Sequence, residues 1–204
     1  MSRFIAVLGL ALLPVWAGAA SSPAAAVVDG LQTALIAGLR MPQSCAARRQ
    51  RLEPVVGKAF DFDLIAQKLL RRHWKDLDDA QRARFRAVIA DTAITTYASE
   101  FASTAADKTT HFEMLSSDDD DDAAAGRVSA RLLPASGDPV SFDYTLRQNG
   151  GDWKIVNVVA QGVSDLAVRS AQYEALITRS GIDGLLTELE YRNQQARAAC
   201  GTAP

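Results

Sequence analysis

Residues 140–160 read VSFDYTLRQNGGDWKIVNVVA and carry the clearest strand pattern of the chain. Its first half alternates apolar and polar residues, which is the period of a strand with one buried face. The apolar face carries Val140, Phe142, Tyr144 and Leu146. The sequence Gln-Asn-Gly-Gly at 148–151 is typical of a hairpin turn. A second strand at 153–159 is apolar on both faces near its end, so we expect both sides to be covered there.

Two more strand patterns precede the hairpin, and helical patterns flank the four strands. The strands are predicted at 110–115 and 127–133, and their short connections favour an antiparallel meander. Helical periodicity is present at 25–39, 44–56, 64–73, 78–101, 164–179 and 183–199. The order of helices, strands and helices predicts an α+β fold, with helices packed around a curved four-stranded antiparallel sheet. Periodicity alone does not distinguish a filled core from an apolar pocket between these layers.

The first twenty residues have the pattern of a secretory signal peptide. Arg3 precedes an apolar run from Phe4 to Trp16, and small residues follow at 17–20. The run is short for a membrane span, which needs about 20 apolar residues. We therefore expect a signal peptide at 1–20 and a single domain at 21–204, exported and soluble after cleavage.

The composition excludes some partners and allows a disulfide. Removing 1–20 removes one arginine and no carboxylate, which leaves a net charge of −3. This mildly acidic balance argues against nucleic-acid binding, which needs clustered lysine and arginine. Two cysteines remain, Cys45 and Cys200, and in an oxidising compartment an even number favours a disulfide between the first and last helical regions. Two unpaired thiols are the alternative.

No arrangement of catalytic or metal-binding residues stands out. Five adjacent aspartates at 118–122 lack the alternating spacing of a calcium loop, so we interpret them as a solvated hairpin loop. His73 and His111 lack partners at metal-binding spacing, which predicts no metal and no cofactor. Asp143 and Asp152 flank the hairpin, and spacing alone leaves a paired-carboxylate hydrolase open. The ordinary place of Asp143, however, is the solvated face of its strand.

Several motifs together resemble the MlaC family, also called the toluene-tolerance auxiliary family of ABC transporters. The clearest is WKIVNVVAQGVS at 153–164, which is followed by Arg169, Tyr173 and GIDGLL at 181–186. Upstream, Phe60-Asp61-Phe62, Trp74, Gln81, Phe85 and Tyr97 follow the order of the family pattern. Asn157 departs from the pattern, which usually has aspartate there, so we assign that position no ionised role. Residues 164–173 look closer to the hopanoid-associated HpnM subfamily.

The resemblance implies a lipid carrier in the periplasm. The family is associated with outer-membrane lipid asymmetry, and its members move phospholipid between an inner-membrane ABC transporter complex and an outer-membrane lipoprotein complex. For this chain the resemblance implies phospholipid or a hopanoid-type lipid as cargo, no enzymatic activity, and a monomer. Two alternatives stay open: a periplasmic enzyme on an NTF2-like scaffold, and an adaptor that binds proteins and has a filled core.

Apolar faces and motif positions together predict the wall of a lipid pocket. The predicted wall residues are Phe62, Ile65, Leu69, Trp74, Tyr97, Phe101, Phe142, Tyr144, Ile155, Val158 and Val163. Burying one CH₂ group is worth about 0.8 kcal/mol, so exposing one acyl chain to water costs on the order of 10 kcal/mol. A carrier therefore needs apolar walls and an opening for the polar head, without covalent chemistry.

Overall fold

The order of elements in the described part of the chain is four helices, five strands and a long final helix. The computed structural model describes residues 22–40, 44–103, 109–120 and 124–202. The first helices are α1 (Pro23–Leu39), α2 (Cys45–Ala59), α3 (Phe62–Leu70), continued by a 3-10 turn (Arg71–Asp76), and α4 (Asp79–Ser103). The strands are β1 (His111–Asp120), β2 (Ala125–Leu133), β3 (Val140–Asn149), β4 (Asp152–Ala160) and β5 (Val163–Ser164), followed by α5 (Asp165–Thr202). The predicted signal peptide at 1–20 lies outside the described residues.

The strands form one antiparallel sheet in the order β1-β2-β3-β4-β5. The prediction of an α+β fold with an antiparallel meander is confirmed, but the prediction of four strands is wrong. The fifth strand is only two residues long and pairs Val163 and Ser164 with the end of β4. So short a segment cannot show the period-two alternation from which strands are predicted.

The two faces of the sheet differ in polarity, as the alternation at 127–133 and 140–147 predicts. Across the β2–β3 pair, Val128 lies opposite Tyr144 and Ala130 lies opposite Phe142, on the face that the helices cover. On the other face Ser129 lies opposite Asp143, and their side chains form a hydrogen bond. Burial of one face therefore fixes the register of this pair.

The aspartate run is partly strand rather than loop. Asp118, Asp119 and Asp120 belong to β1, paired with residues of β2, while 121 and 122 lie outside the described residues. The Asp119 carboxylate accepts hydrogen bonds from the Ala24 amide at 3.1 Å and from the Ser22 hydroxyl at 3.0 Å. It is therefore at the start of α1, where a negative charge stabilises the exposed amides and the helix dipole. The prediction of a solvated loop is wrong for this part of the run.

We expect Asp119→Ala to lower the free energy of unfolding by about 1 kcal/mol, the usual loss when a helix loses its N-terminal cap. Asp118→Ala removes an exposed neighbour with the same charge and should change stability by less than about 0.5 kcal/mol. Urea denaturation of both variants checks this prediction. Equal losses in the two variants would contradict the capping role.

Side-chain caps set the starts of the other helices. The Asp61 carboxylate accepts from the Leu64 amide at 2.8 Å, at the start of α3, and from the Asn149 side chain at 2.9 Å. Asp61 thereby ties α3 to the β3–β4 hairpin. Before α4, the Asp78 carboxylate accepts from the Gln81 amide and the Gln81 side chain accepts from the Asp78 amide, so the two residues form a capping box.

The end of α2 differs from the sequence prediction. Helix α2 continues through Pro54 and Gly57 to Ala59, although the sequence predicts an end near Val56. Buried Leu52 and Val56 hold this segment against the core, and tertiary packing outweighs the helix-breaking preference of proline. The two C-terminal helices that the sequence predicts meet within α5 at Gly181, whose φ of 71° breaks the helix and suits glycine.

The buried residues form two hydrophobic clusters. The first joins α1, α2 and the second half of α4 to the sheet. The second joins α3, the first half of α4 and α5. The Cys45–Cys200 disulfide connects the start of α2 to the end of α5, with the Cα atoms 5.0 Å apart. Phe62 and Ile65 of α3 pack against both clusters, so the boundary between the clusters passes through α3.

Candidate functional site

A cavity of about 270 Å³ lies at the boundary between the two hydrophobic clusters. Its lining is mostly apolar, and it is enclosed by α3, α4, α5 and the helix-facing side of β3 and β4. Apolar cavities with a few polar groups at one side are the usual form of small-molecule sites. The lining residues Phe142 and Val158 of the sheet pack against the first cluster, whereas Leu69, Ile89 and Tyr173 of the helices belong to the second.

One stripe of each helix faces the cavity. On α3 the lining residues Phe62, Ile65 and Leu69 follow the i, i+3, i+7 spacing of a single helix face. On α4 the same spacing brings together Ile89, Thr92, Ala93, Thr96, Tyr97 and Glu100. The side chains of Thr92, Ala93 and Thr96 are small, and this leaves space between α4 and the sheet.

The sheet wall contains a bulge in β4. Leu146 pairs with Ile155 and Thr145 pairs with Asn157, so Val156 has no partner on β3. A bulge of this kind re-aims the side chains that follow it. Val156, Asn157, Val158 and Ala160 of β4 all line the cavity, together with Phe142 of β3. Because of the bulge, consecutive residues of β4 contribute to one wall.

Three charged side chains line the cavity and form what we call the charged rim: Glu100 on α4, and Asp165 and Arg169 on α5. The Arg169 Nε–H is directed at the Asp165 carboxylate, 2.8 Å from each oxygen. Burial disfavours the charged form of Arg169, but the hydrogen bond and charge of Asp165 outweigh it, and the pKa of Arg169 is raised. The pKa of Glu100 is raised by burial and by the nearby charge of Asp165, while Arg169 opposes the shift.

Two tyrosines add weak polarity to the apolar lining. Burial, then Tyr144 and the rim carboxylates Asp165 and Glu100, raise the pKa of Tyr97, while Arg169 opposes the shift. Burial also raises the pKa of Tyr173, although Arg169 opposes the shift by its charge and a hydrogen bond. The Tyr97 ring lies 6.1 Å from the Phe60 ring, and the Tyr173 ring meets the Phe85 ring edge-on at 6.0 Å. Both hydroxyls therefore stay neutral at physiological pH while their rings pack in the cavity wall.

The structure brings six of the eleven predicted wall residues together around the cavity. These are Phe62, Ile65, Leu69, Tyr97, Phe142 and Val158. Tyr144 and Ile155 are instead buried in the first cluster, and Trp74 packs against the second, under the Arg82 guanidinium at 5.5 Å. Val163 is 58% exposed on β5. Phe101 lies in α4, but its side chain is outside the described residues.

Sequence reasoning missed the polar half of the site. Thr92, Thr96 and Glu100 lie on the same stripe of α4 as the apolar residues from which the helix was predicted. A charged residue such as Glu100 is ordinarily expected on the solvated side of a helix. The helical spacing would have placed these residues on the cavity face, since residues four apart share a face of a helix whatever their polarity. Arg169 was present in the motif but had no assigned role.

Buried Tyr144 gives the chain a testable dependence of stability on pH. Burial raises the pKa of Tyr144 to about 12, although its hydroxyl accepts a hydrogen bond from the Gln32 side chain at 3.3 Å, which by itself lowers the pKa. An unfolded tyrosine loses its proton near pH 10. The contribution of neutral Tyr144 to the free energy of unfolding is therefore fully present below about pH 10. It is lost as the pH rises towards 12, by about 2–3 kcal/mol.

We expect the free energy of unfolding of the native chain to fall between about pH 10 and 12, and to fall less in Tyr144→Phe. Tyr97 and Tyr173, whose pKa values are also raised, contribute in the same direction in both proteins. Urea denaturation at pH 9 and pH 11.5 measures the difference, and Tyr191→Phe, at a 57% exposed position, is the control. An unchanged slope in Tyr144→Phe would contradict the account.

The carboxylates and histidines that the sequence offers as candidate catalytic or metal-binding residues do not line the cavity. Asp143 is exposed on the outer face of the sheet and Asp152 is exposed at the hairpin. The His73 ring lies beside the Glu174 carboxylate at 3.0 Å, and His111 is exposed at the start of β1. Within the described residues, no group of three or more His, Cys, Asp or Glu side chains could hold a metal ion.

Comparison with known proteins places the chain in a family. The model of the family described as MlaC protein matches residues 28–191, which is most of the chain. A solved structure of a phospholipid-binding protein from Ralstonia solanacearum, in complex with a phospholipid, has the same fold, with a TM-score of 0.71 and 21% sequence identity. The match covers 84% of this chain and 97% of that one. In the described ranges no helix is both long and apolar enough to cross a membrane. This chain belongs to the MlaC family.

Proposed function

We propose that the chain is a periplasmic lipid carrier that holds the acyl part of a phospholipid in the cavity between α3, α4, α5 and the sheet. The observation that carries the proposal is the cavity itself, with mostly apolar walls and a charged rim, in a protein of the MlaC family. The walls would replace water around the acyl chain, at about 0.8 kcal/mol for each CH₂. The rim would face the polar head. Binding of this kind needs no cofactor and no covalent step.

The size and position of the cavity support a carrier that opens to load. A volume of about 270 Å³ is below the usual range of about 300–1,000 Å³ for ligand sites, so a lipid with two acyl chains requires the walls to separate. The wall formed by α3 and α5 belongs largely to the second hydrophobic cluster, and the sheet belongs to the first. An outward movement of α3 and α5 from the sheet would enlarge the cavity.

The proposed route follows from the family and from the sequence. Export would depend on the signal peptide at 1–20. The carrier would then move, as a monomer, between an inner-membrane ABC transporter complex and an outer-membrane lipoprotein complex. Phospholipid is the cargo we favour, because the Ralstonia protein of the same fold was solved with a phospholipid. A hopanoid-type lipid remains the second candidate cargo, on the resemblance of 164–173 to the HpnM subfamily.

Transfer between two vesicle populations tests the proposal. The purified protein is incubated with vesicles that contain a labelled phospholipid, separated from them, and then mixed with unlabelled acceptor vesicles. We expect labelled lipid to leave the donor with the protein and to appear, chemically unchanged, in the acceptor. Recovery of hydrolysed lipid would favour the enzyme, and failure to take up lipid would favour the protein-binding adaptor. Either result would contradict the carrier.

A further inference from the structure

One polar residue of the sheet wall, Asn157, lies where the apolar lining meets the charged rim. Asn157 lines the cavity between Val156 and Val158, which are both part of the apolar wall. A hydrogen bond joins it to Ser164, and Ser164 directly precedes Asp165 of the rim. The residue is half-buried, so its side-chain amide is partly withdrawn from water at this boundary.

The hydrogen bonds of Ser164 fix the orientation of the Asn157 amide. The Ser164 hydroxyl oxygen accepts from the Ala167 amide at 3.2 Å and thereby caps the start of α5. The hydroxyl proton is then available for donation, and the Asn157 Oδ1 accepts it at 2.9 Å. The Asn157 Nδ2 carries two N–H donors, and no residue in the described part of the chain accepts from them. Asn157 therefore offers a donor, rather than an acceptor, to a molecule in the cavity.

This donor matches one group of a phospholipid by its position and by its charge. A diacyl phospholipid has acyl chains, then ester carbonyls, then a phosphate. The cavity has apolar walls, then Asn157, then the charged rim, in the same order. When an acyl chain displaces water from the cavity, an Nδ2 left without an acceptor would cost free energy. An ester carbonyl oxygen at this level is a neutral acceptor that removes the cost.

We propose that the Asn157 Nδ2 donates a hydrogen bond to an ester carbonyl oxygen of the bound lipid. The inference rests on the lipid-carrier function proposed above and adds the acyl linkage that the site recognises. In an ether-linked lipid a CH₂ group replaces the carbonyl, so the Nδ2 loses this acceptor. The protein therefore takes up a diester phospholipid in preference to a diether phospholipid with the same headgroup and chain length.

A competition for loading tests this preference. The purified protein is incubated with equimolar vesicles of diester and diether lipids that share a phosphoethanolamine headgroup and one chain length, and the extracted lipid is quantified by mass spectrometry. Because the headgroup is the same, the ratio of the two lipids does not depend on the net charge of the protein. We expect a preference of about fivefold for the diester lipid, the effect of one hydrogen bond between neutral groups.

Three variants make the test specific to the amide donor. Asn157→Asp keeps the shape of the side chain and an acceptor for Ser164 but removes the donor, so the preference should fall below about twofold. Asn157→Leu removes the donor without adding a charge and should show the same loss, which keeps the test decisive where one of the two variants does not fold. Gln161→Glu is the matched control, since it makes the same amide-to-carboxylate change at an exposed residue that does not line the cavity. It should keep the native preference.

The outcomes separate this inference from the carrier function on which it rests. Equal loading of the two lipids by the native protein, or an unchanged preference in the folded Asn157 variants, would overturn the hydrogen bond and leave the carrier function standing. Loss of the preference in Gln161→Glu as well would also overturn it, because the effect would then not be specific to Asn157. Absence of both lipids from the native protein would instead overturn the carrier function.

Discussion

Replacing Ala93 by tryptophan is expected to remove most lipid binding while the protein stays folded. Ala93 lies in the middle of the α4 stripe, between Thr92 and Thr96, and its side chain faces the cavity. An indole at this position would occupy space that the acyl chain needs. Because the new side chain enters an existing cavity rather than a filled core, the usual strain of overpacking is reduced. We expect the amount of phospholipid extracted from vesicles to fall about tenfold, which corresponds to about 1.4 kcal/mol.

The matched control for Ala93→Trp is Ala87→Trp. Ala87 lies on the same helix, is exposed, and does not line the cavity. The variant Ala87→Trp introduces the same side chain with the same helix propensity, so it should load lipid as the native protein does. Circular dichroism and urea denaturation check that both variants are folded. Native-like loading by folded Ala93→Trp would mean that the acyl chain lies elsewhere.

Removal of the Cys45–Cys200 disulfide is expected to cause the largest loss of stability. The bridge closes a loop with a sequence separation of 155 residues. On the chain-entropy model so long a loop is worth about 5 kcal/mol, and native disulfides typically contribute about 2–5 kcal/mol. For a domain of this size such a loss lowers the melting temperature by about 10 °C. The physical reason is that the reduced, unfolded chain gains conformations that the bridge excludes.

Cys45→Ala/Cys200→Ala measures this contribution without leaving a reactive thiol. Both sulfur atoms are buried in the first cluster, so part of the loss comes from packing rather than from the crosslink. Comparison of the native protein before and after reduction separates the two, because reduction keeps both sulfur atoms. A melting temperature that is unchanged in the reduced protein and in the double variant would show that the bridge does not hold α2 and α5 together.

The parts of the fold that the sequence predicts are those with strong local periodicity. The alternation of apolar and polar residues predicts strands β2 and β3, and the spacing of Asp78 and Gln81 allows a capping box. Each of these features depends on residues close in sequence. Long-range contacts were not predictable in this way. The sequence does not predict the capping role of Asp119, because its partners, Ser22 and Ala24, are almost a hundred residues away.

The candidate site is likewise predictable only where it depends on local periodicity. Apolar faces predicted Phe62, Ile65 and Phe142, but they did not separate cavity wall from filled core, so Tyr144 and Ile155 were included although both are buried in the first cluster. The difference arises from the bulge at Val156 and from the way α3, α4 and α5 pack over the sheet. Neither is encoded in a period of two or of 3.6 residues. The charged rim was missed because its members come from two helices that meet only in the fold.

The lipid content of the protein as it is isolated is the strongest test of the proposed carrier function. The protein is purified from its native host under mild conditions without detergent, weighed intact by native mass spectrometry, and then extracted so that any bound molecule is identified. The account predicts a mass higher than that of the mature chain by one phospholipid, at a defined stoichiometry. A bare protein that also takes up no lipid from added vesicles would contradict it.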